Sequence, residues 1–160
     1  MSTNVLEKVA PVIEAPRARR FSVPDLSEHG AWVMARFLEN YPHLVERNIA
    51  GFLRGLVFNN ECMFLYQPNA VGLAQVDRGQ TLSPVPVVRE RFVFARDTQY
   101  VEEASFMYLE FDRWARQLGA DTLLVCEGMT DVPPEIIAKR LGGRRIFTRE
   151  QRFLKVAEKG

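Results

Sequence analysis

The chain has 160 residues, 47% hydrophobic, 26% charged and 11% aromatic; this suffices for one compact domain with a core and excludes wholesale disorder. Lys+Arg is 21 against Asp+Glu 20, so the chain lacks the basic excess that holds nucleic acid, and nucleic acid is not an expected partner. Cys62 and Cys126 make no disulfide framework and point to a reduced, cytoplasmic setting; no run approaches ~18 apolar residues, and no membrane span is expected.

In chain order, residues 1–19 read as an N-terminal arm. They lack the basic-then-apolar layout of a secretory signal, and Pro11 and Pro16 bar a continuous helix. The arm is either mobile or docked on a partner through Val5, Leu6, Val9, Val12 and Ile13. A single domain is expected over 20–160. Phe21 and Val23 alternate as in a short strand, and Pro24–Asp25 marks a turn with Asp25 or Ser27 as helix N-cap. Ala31, Trp32, Ala35, Phe37 and Leu38 then follow helical spacing, ending at Asn40–Pro42. A second helix is expected over Val45–Val57. Gly51 and Gly55 lower its propensity and imply either close packing against a neighbour or fraying.

After the Asn59–Asn60 turn, Cys62–Tyr66 and Val71–Val76 read as strands joined by a hairpin at Pro68–Asn69. A Gly/Pro-bearing loop leads to a third strand over Val87–Ala95, with Val88, Phe92 and Phe94 on one face and Arg89, Arg91 and Val93 on the other. The strongest helical pattern is Val101–Leu118: Ala104, Met107, Tyr108, Phe111 and Trp114 form one apolar face, acids lead it and arginines end it. Thr122–Cys126 reads as a buried strand in a βαβ crossover, which implies parallel pairing. Pro134–Leu141 reads as a short helix stopped by Gly142–Gly143, with terminal strands at Ile146–Phe147 and Phe153–Val156.

This order resembles the GNAT superfamily of acyl-CoA N-acyltransferases over roughly residues 20–156. RRFSVPDL (Arg19–Leu26), FVFARDTQYVEEASFMYLEFDRWARQLGADTLLV (Phe92–Val125) and EIIAKRLGGRRIF (Glu135–Phe147) carry the likeness. It implies an α/β fold of three layers, α/β/α, around a mixed, partly splayed sheet. It also implies acetyl-CoA as cofactor, with pantetheine along Phe92–Arg96 and pyrophosphate on the amides that open the long helix. The cofactor-binding set would be Phe94, Arg96, Gln99 and Ala104, the last two in register with the family's phosphate loop.

Two positions depart from that pattern. Glu102 stands where the loop has its central glycine, putting a side chain and a negative charge where phosphate oxygens would lie. Ala138 stands where the family often has a proton-donating Tyr, and alanine carries no proton. Glu127, just past a strand's C-terminal end, is the candidate general base, with Glu90 the other carboxylate considered. Of nearby phenols, Tyr108 falls on the apolar helix face and reads as core, as do the thiols Cys62 and Cys126.

His29 and His43 have no metal-ligand spacing, and no Gly-x-x-x-x-Gly-Lys-Ser/Thr loop exists. The basic segment 139–152 (Lys139, Arg140, Arg144, Arg145, Arg149, Arg152) is either a solvated face or a contact for an acidic partner. Two readings follow. One is a GNAT-fold protein with a degenerate acyl-CoA site, serving as an interaction or structural component through the arm or the basic segment; it would be similar to virion or host-interacting proteins of tailed bacteriophages. The other is an active acetyl-CoA-dependent N-acetyltransferase acting on an amine.

Overall fold

The computed structural model describes residues 18–77, 86–120, 122–125 and 129–142, with the backbone of 145–147 and 155–156. The arm up to residue 17, Cys126, Glu127, Arg144, Arg149 and Arg152 lie outside the described residues, as does the side chain of Arg145. The elements are β1 (Arg19–Arg20), α1 (Val23–Asn40), α2 (Glu46–Val57), β2 (Cys62–Gln67), β3 (Ala70–Asp77), β4 (Val87–Ala95), a 3-10 turn (Thr98–Tyr100), α3 (Val101–Ser105), α4 (Met107–Gln117), β5 (Leu123–Leu124), β6 (Met129–Thr130), α5 (Pro134–Leu141), β7 (Arg145–Phe147) and β8 (Lys155–Val156).

The sheet runs β1-β2-β3-β4-β5-β7-β8, with β6 also paired to β4. It is mixed: β1 to β4 form an antiparallel meander, and β5 and β6 join β4 in parallel. Side chains alternate across the strands, so two cores form. Leu65, Ala70, Ala74 and Val93 pack under α3, α4 and α5, while Phe64, Val71, Leu73, Phe92 and Phe94 pack under α1 and α2. This is the expected three-layer α/β fold.

The expected single facing of β4 needs correction. Leu73 pairs with Phe92 and Ala74 with Glu90, which leaves Arg91 as a bulge. One extra residue inverts the alternation. Val88 therefore shares the α4-side core with Val93, while Phe92 and Phe94 turn to the α1 side. The parallel partner is parted at the same place. Arg89 pairs with Leu124 and Phe92 with Met129, a slip of two residues opposite Glu90 and Arg91.

The first helix also starts earlier than periodicity suggests. Ser22 is the N-cap and Pro24 lies in the first turn, where a missing N–H costs nothing; Val23 is helical and 45% exposed. The preceding strand is Arg19–Arg20, and Phe21 N–H extends its pairing by donating to the Phe64 carbonyl. Asp25 is the N3 acid of a capping box, not the N-cap. Its Oδ2 accepts from Ser22 N–H at 2.7 Å and from the Ser22 hydroxyl at 2.9 Å, and Arg19 donates to both its oxygens at 2.8 and 2.9 Å.

The Arg19 bonds outweigh burial and, with Ser22, hold the Asp25 carboxyl at about 2 against an ordinary 3.8. Because the folded value is depressed, the unfolded chain binds the proton first. This stabilisation is complete above pH ~4 and is lost as pH falls towards ~2, a loss of about 2 kcal/mol. Urea unfolding of Asp25→Asn should show a correspondingly flatter stability profile across that window. An unchanged profile would mean that Asp25 is not a source of acid lability.

In α2, an added Cβ at Gly51 or Gly55 would meet nothing within 4 Å, so close packing on a neighbour does not explain these glycines. The strongest helical stretch is broken at Phe106 into α3 and α4. Among the described residues, no helix is long and apolar enough to cross a membrane.

Candidate functional site

β4 ends at Ala95, and the chain turns through Arg96 and Asp97 into the start of α3. A cavity of about 330 Å³ opens there, lined by Arg36 and Glu39 of α1, Ala95 to Thr98, Val101 and Asp131. Among the lining side chains, Arg36 pairs with both Glu39 and Asp131.

Arg36 projects from the last turns of α1 onto the strand end. Its Nη1 donates to the Ala95 carbonyl at 2.9 Å and to Asp131 Oδ2 at 2.6 Å, its Nη2 donates to Asp131 Oδ1, and its Nε donates to Glu39 at 3.1 Å. Asp131, just after β6, accepts the Ala95 N–H through Oδ2 at 2.8 Å, while its own N–H donates to the Val93 carbonyl at 3.0 Å. A bidentate arginine–carboxylate clasp thus holds both backbone polar groups of the last β4 residue. The Asp131 bonds push the Arg36 guanidinium above its ordinary range, and Phe94 lies beneath it, 5.2 Å from guanidinium carbon to ring centre. The partners are about one-fifth exposed, 22% and 20%, so water competes for the pair only in part.

The start of the helix is likewise occupied. Asp97 caps the 3-10 turn: its carboxylate accepts the Gln99 N–H at 3.0 Å and its carbonyl accepts the Tyr100 N–H at 3.0 Å. Glu102 in the first turn of α3 accepts from Arg140 of α5 at 2.7 Å. Arg140 also donates to the Ser105 hydroxyl at 2.7 Å and stacks on Phe106 at 3.9 Å. An anion arriving at these amides would meet two carboxylates already seated there.

The four residues placed in the cofactor set follow one another along the end of β4, the turn and α3. Arg96 lines the cavity, and its guanidinium stands 5.9 Å from the Trp32 ring centre. Gln99 is exposed, with its amide spent on Asp97. Phe94 is buried in the α1-side core and Ala104 in the α4-side core, at 1% and 0% exposure. Glu127 lies outside the described residues, and Glu90 is buried in β4. Tyr108 is fully buried, its hydroxyl 2.8 Å from that of Thr130. Burial raises the Cys62 thiol above its ordinary range, so it is a core thiol and not a ready nucleophile. Among the described residues no three His, Cys, Asp or Glu side chains could share a metal ion.

The residues that dominate the site, Arg36 and Asp131, are ones sequence reasoning passes over. Arg36 sits among the polar positions of an amphipathic helix, and Asp131 falls between two apolar segments; 95 positions separate them. At this end of the sheet Arg36 and Asp131 hold the backbone of Ala95, Asp97 takes the Gln99 and Tyr100 N–H groups, and the helix start bears Glu102.

No protein-family model matches the chain, and no curated protein matches it in sequence. Solved structures do match it in shape. A probable acetyltransferase superposes with a TM-score of 0.62 at 13% identity, covering 80% of this chain and 89% of the other. An acetyltransferase from Vibrio fischeri gives 0.53 at 14% identity, covering 69% and 94%. The aminoglycoside antibiotic 6'-N-acetyltransferase of Acinetobacter baumannii gives 0.52 at 14% identity, covering 74% and 80%. The fold is that of the GNAT acetyltransferases, and identities this low speak to fold alone.

Proposed function

We propose that this chain is a GNAT-fold protein whose acyl-CoA groove is filled by its own side chains, and that it serves as an interaction component. The observation that carries this reading is the clasp. Arg36 and Asp131 take the N–H and C=O of Ala95, the groups a pantetheine arm would need on that strand edge. Glu102, seated on Arg140 at the helix start, adds to it. The contact segments in this reading are the arm of residues 1–19 and the basic segment 139–152. A place in a virion or against a host protein accords with the resemblance to tailed-phage proteins.

An active N-acetyltransferase is the second reading. The cavity of about 330 Å³ beside Arg96 and Thr98 favours it, being of a size that admits a ligand arm.

Calorimetric titration of the full chain with acetyl-CoA separates the two. The proposal expects no binding heat, and no thermal shift at millimolar ligand; micromolar binding would overturn it. Removing both ion pairs in Glu102→Gly/Arg36→Ala should bring acetyl-CoA binding into the range that calorimetry detects, where the parent gives no heat. An unchanged isotherm would sink the view that these two pairs are what close the groove.

A further inference from the structure

His29 is a buried titratable group that the strand-end site does not use. It lies on α1, 6% exposed, with its ring set against Tyr66 of β2 at 5.0 Å between centroids. Its Nδ1 accepts the indole N–H of Trp32, one turn further along α1, at 3.1 Å. An indole nitrogen can only donate, so this bond requires a neutral imidazole whose proton sits on Nε2. That Nε2 is buried and has no hydrogen-bond partner. The Glu28 carboxylate stands 3.5 Å from it, on a side chain 70% exposed.

We propose that His29 is a pH-operated latch on Trp32: the neutral ring holds the indole in place, and protonation lets it go. The geometry gives each state one good contact and never both. In the neutral state Nδ1 is satisfied, while the Nε2 proton is left without an acceptor in a buried place, which costs free energy. A second proton can land only on Nδ1. Two donors would then face each other across 3.1 Å, and the Trp32 bond breaks. The charge that appears is met by Glu28 on the Nε2 side. From the neighbouring strands the ring faces Tyr66, and Arg19 lies 3.9 Å from the centre of that phenol. Arg19 is itself paired with Asp25, so it sets little net charge against His29. The release carries outward. Arg96, which lines the strand-end cavity, stands over the Trp32 ring at 5.9 Å. Acid therefore takes an aromatic face away from this cation and alters the charged surface at the end of β4.

The test follows the indole N–H of Trp32 by proton–nitrogen correlation NMR of the full chain from about pH 8 to about pH 5, the interval in which histidine is the side chain that ordinarily gains charge. The Trp32 resonance is the one that Trp32→Phe removes. Expected is protection from solvent exchange at the upper end, measured against free tryptophan at the same pH. It should fall at least about fivefold at the lower end, the worth of one ordinary hydrogen bond, in step with protonation of the His29 ring. His29→Asn keeps an acceptor near the place of Nδ1 and has no proton to gain, so its Trp32 protection should stay flat. His43→Asn should behave as the parent, and thermal melts verify both folds. Ring-nitrogen spectra of the parent chain give the tautomer without any substitution, and at about pH 8 they should place the proton on Nε2. The proposal is overturned by a proton on Nδ1 there, or by a His29 that stays neutral throughout. It is equally overturned by Trp32 protection that survives His29 protonation, or by an acid loss that persists in His29→Asn. The outcome is independent of the acetyl-CoA titration, so each reading can fail alone.

Discussion

Replacing Arg36 by alanine should destabilise the protein by about 2–3 kcal/mol, a fall in Tm of roughly 5–10 °C. The loss has two sources. Asp131 keeps only the Ala95 N–H as a hydrogen-bond donor, and the Ala95 carbonyl loses its side-chain donor. A partly buried carboxylate stripped of its cation is costly, and an unsatisfied acceptor adds to it. The figure sits below that for a fully buried pair because the partners are about one-fifth exposed. The Glu39 contact, 65% exposed on its carboxylate side, contributes little. Arg36→Lys retains the charge but not the fork, and should recover less than half of the loss. Combining Arg36→Ala with Asp131→Ala should reveal a coupling energy above ~1 kcal/mol. A change within ~0.5 kcal/mol for Arg36→Ala would mean that the clasp is decorative.

Gly72→Ala should cost about 2–3 kcal/mol through overpacking. A Cβ there would stand 2.6 Å from Met107 Sδ, 3.2 Å from Phe111 Cζ and 3.3 Å from Val93 Cγ2. A thioether is adaptable, but Met107 is fully buried, with the fully buried Phe111 against the same point, so it has little room to yield. Shortening it relieves the clash. In a thermal or urea denaturation series, Gly72→Ala/Met107→Val should be at least about 1 kcal/mol more stable than the sum of the single changes. Strict additivity would show that the crowding at β3 lies elsewhere.

Much of the architecture is legible in the sequence because local rules govern it. Pro68–Asn69 forms a two-residue turn that sets Gln67 against Ala70. Val87–Ala95 and Pro134–Leu141 fall at the expected bounds. Misreadings arise where a tertiary constraint overrides a local pattern. Perfect alternation through Val88, Phe92 and Phe94 gives no hint that Arg91 is looped out, because a bulge is a property of two strands together. The apolar stripe from Ala104 to Trp114 continues through Phe106, where the helix breaks. Pro24 reads equally well as a turn and as a helix start, and only the Ser22–Asp25 box decides for the helix.

The candidate site is half legible. Glu102 at the start of the helix is visible as a misplaced charge, but its seat on Arg140, 38 positions away, is not. The clasp carries no sequence signature. An arginine on a helix flank and an aspartate after a strand are ordinary residues until the fold places them on the two sides of Ala95.

The clasp also bears on the order of events in folding. The meander is closed by neighbours in sequence: β2 and β3 share six paired positions, and β3 and β4 share eight. Among the described residues, β4 meets each parallel partner through only two. Local pairing forms at small entropic cost, whereas bringing Arg36 to Asp131 closes a loop of 95 residues. Arg36 rides on the early half of the chain and Asp131 on the late half, so their contact belongs after the rate-limiting step. Loosening it then leaves the folding rate almost untouched and lets the native state come apart faster. On this view the pair of side chains at the end of β4 works as a kinetic brake, setting how long a folded molecule lasts.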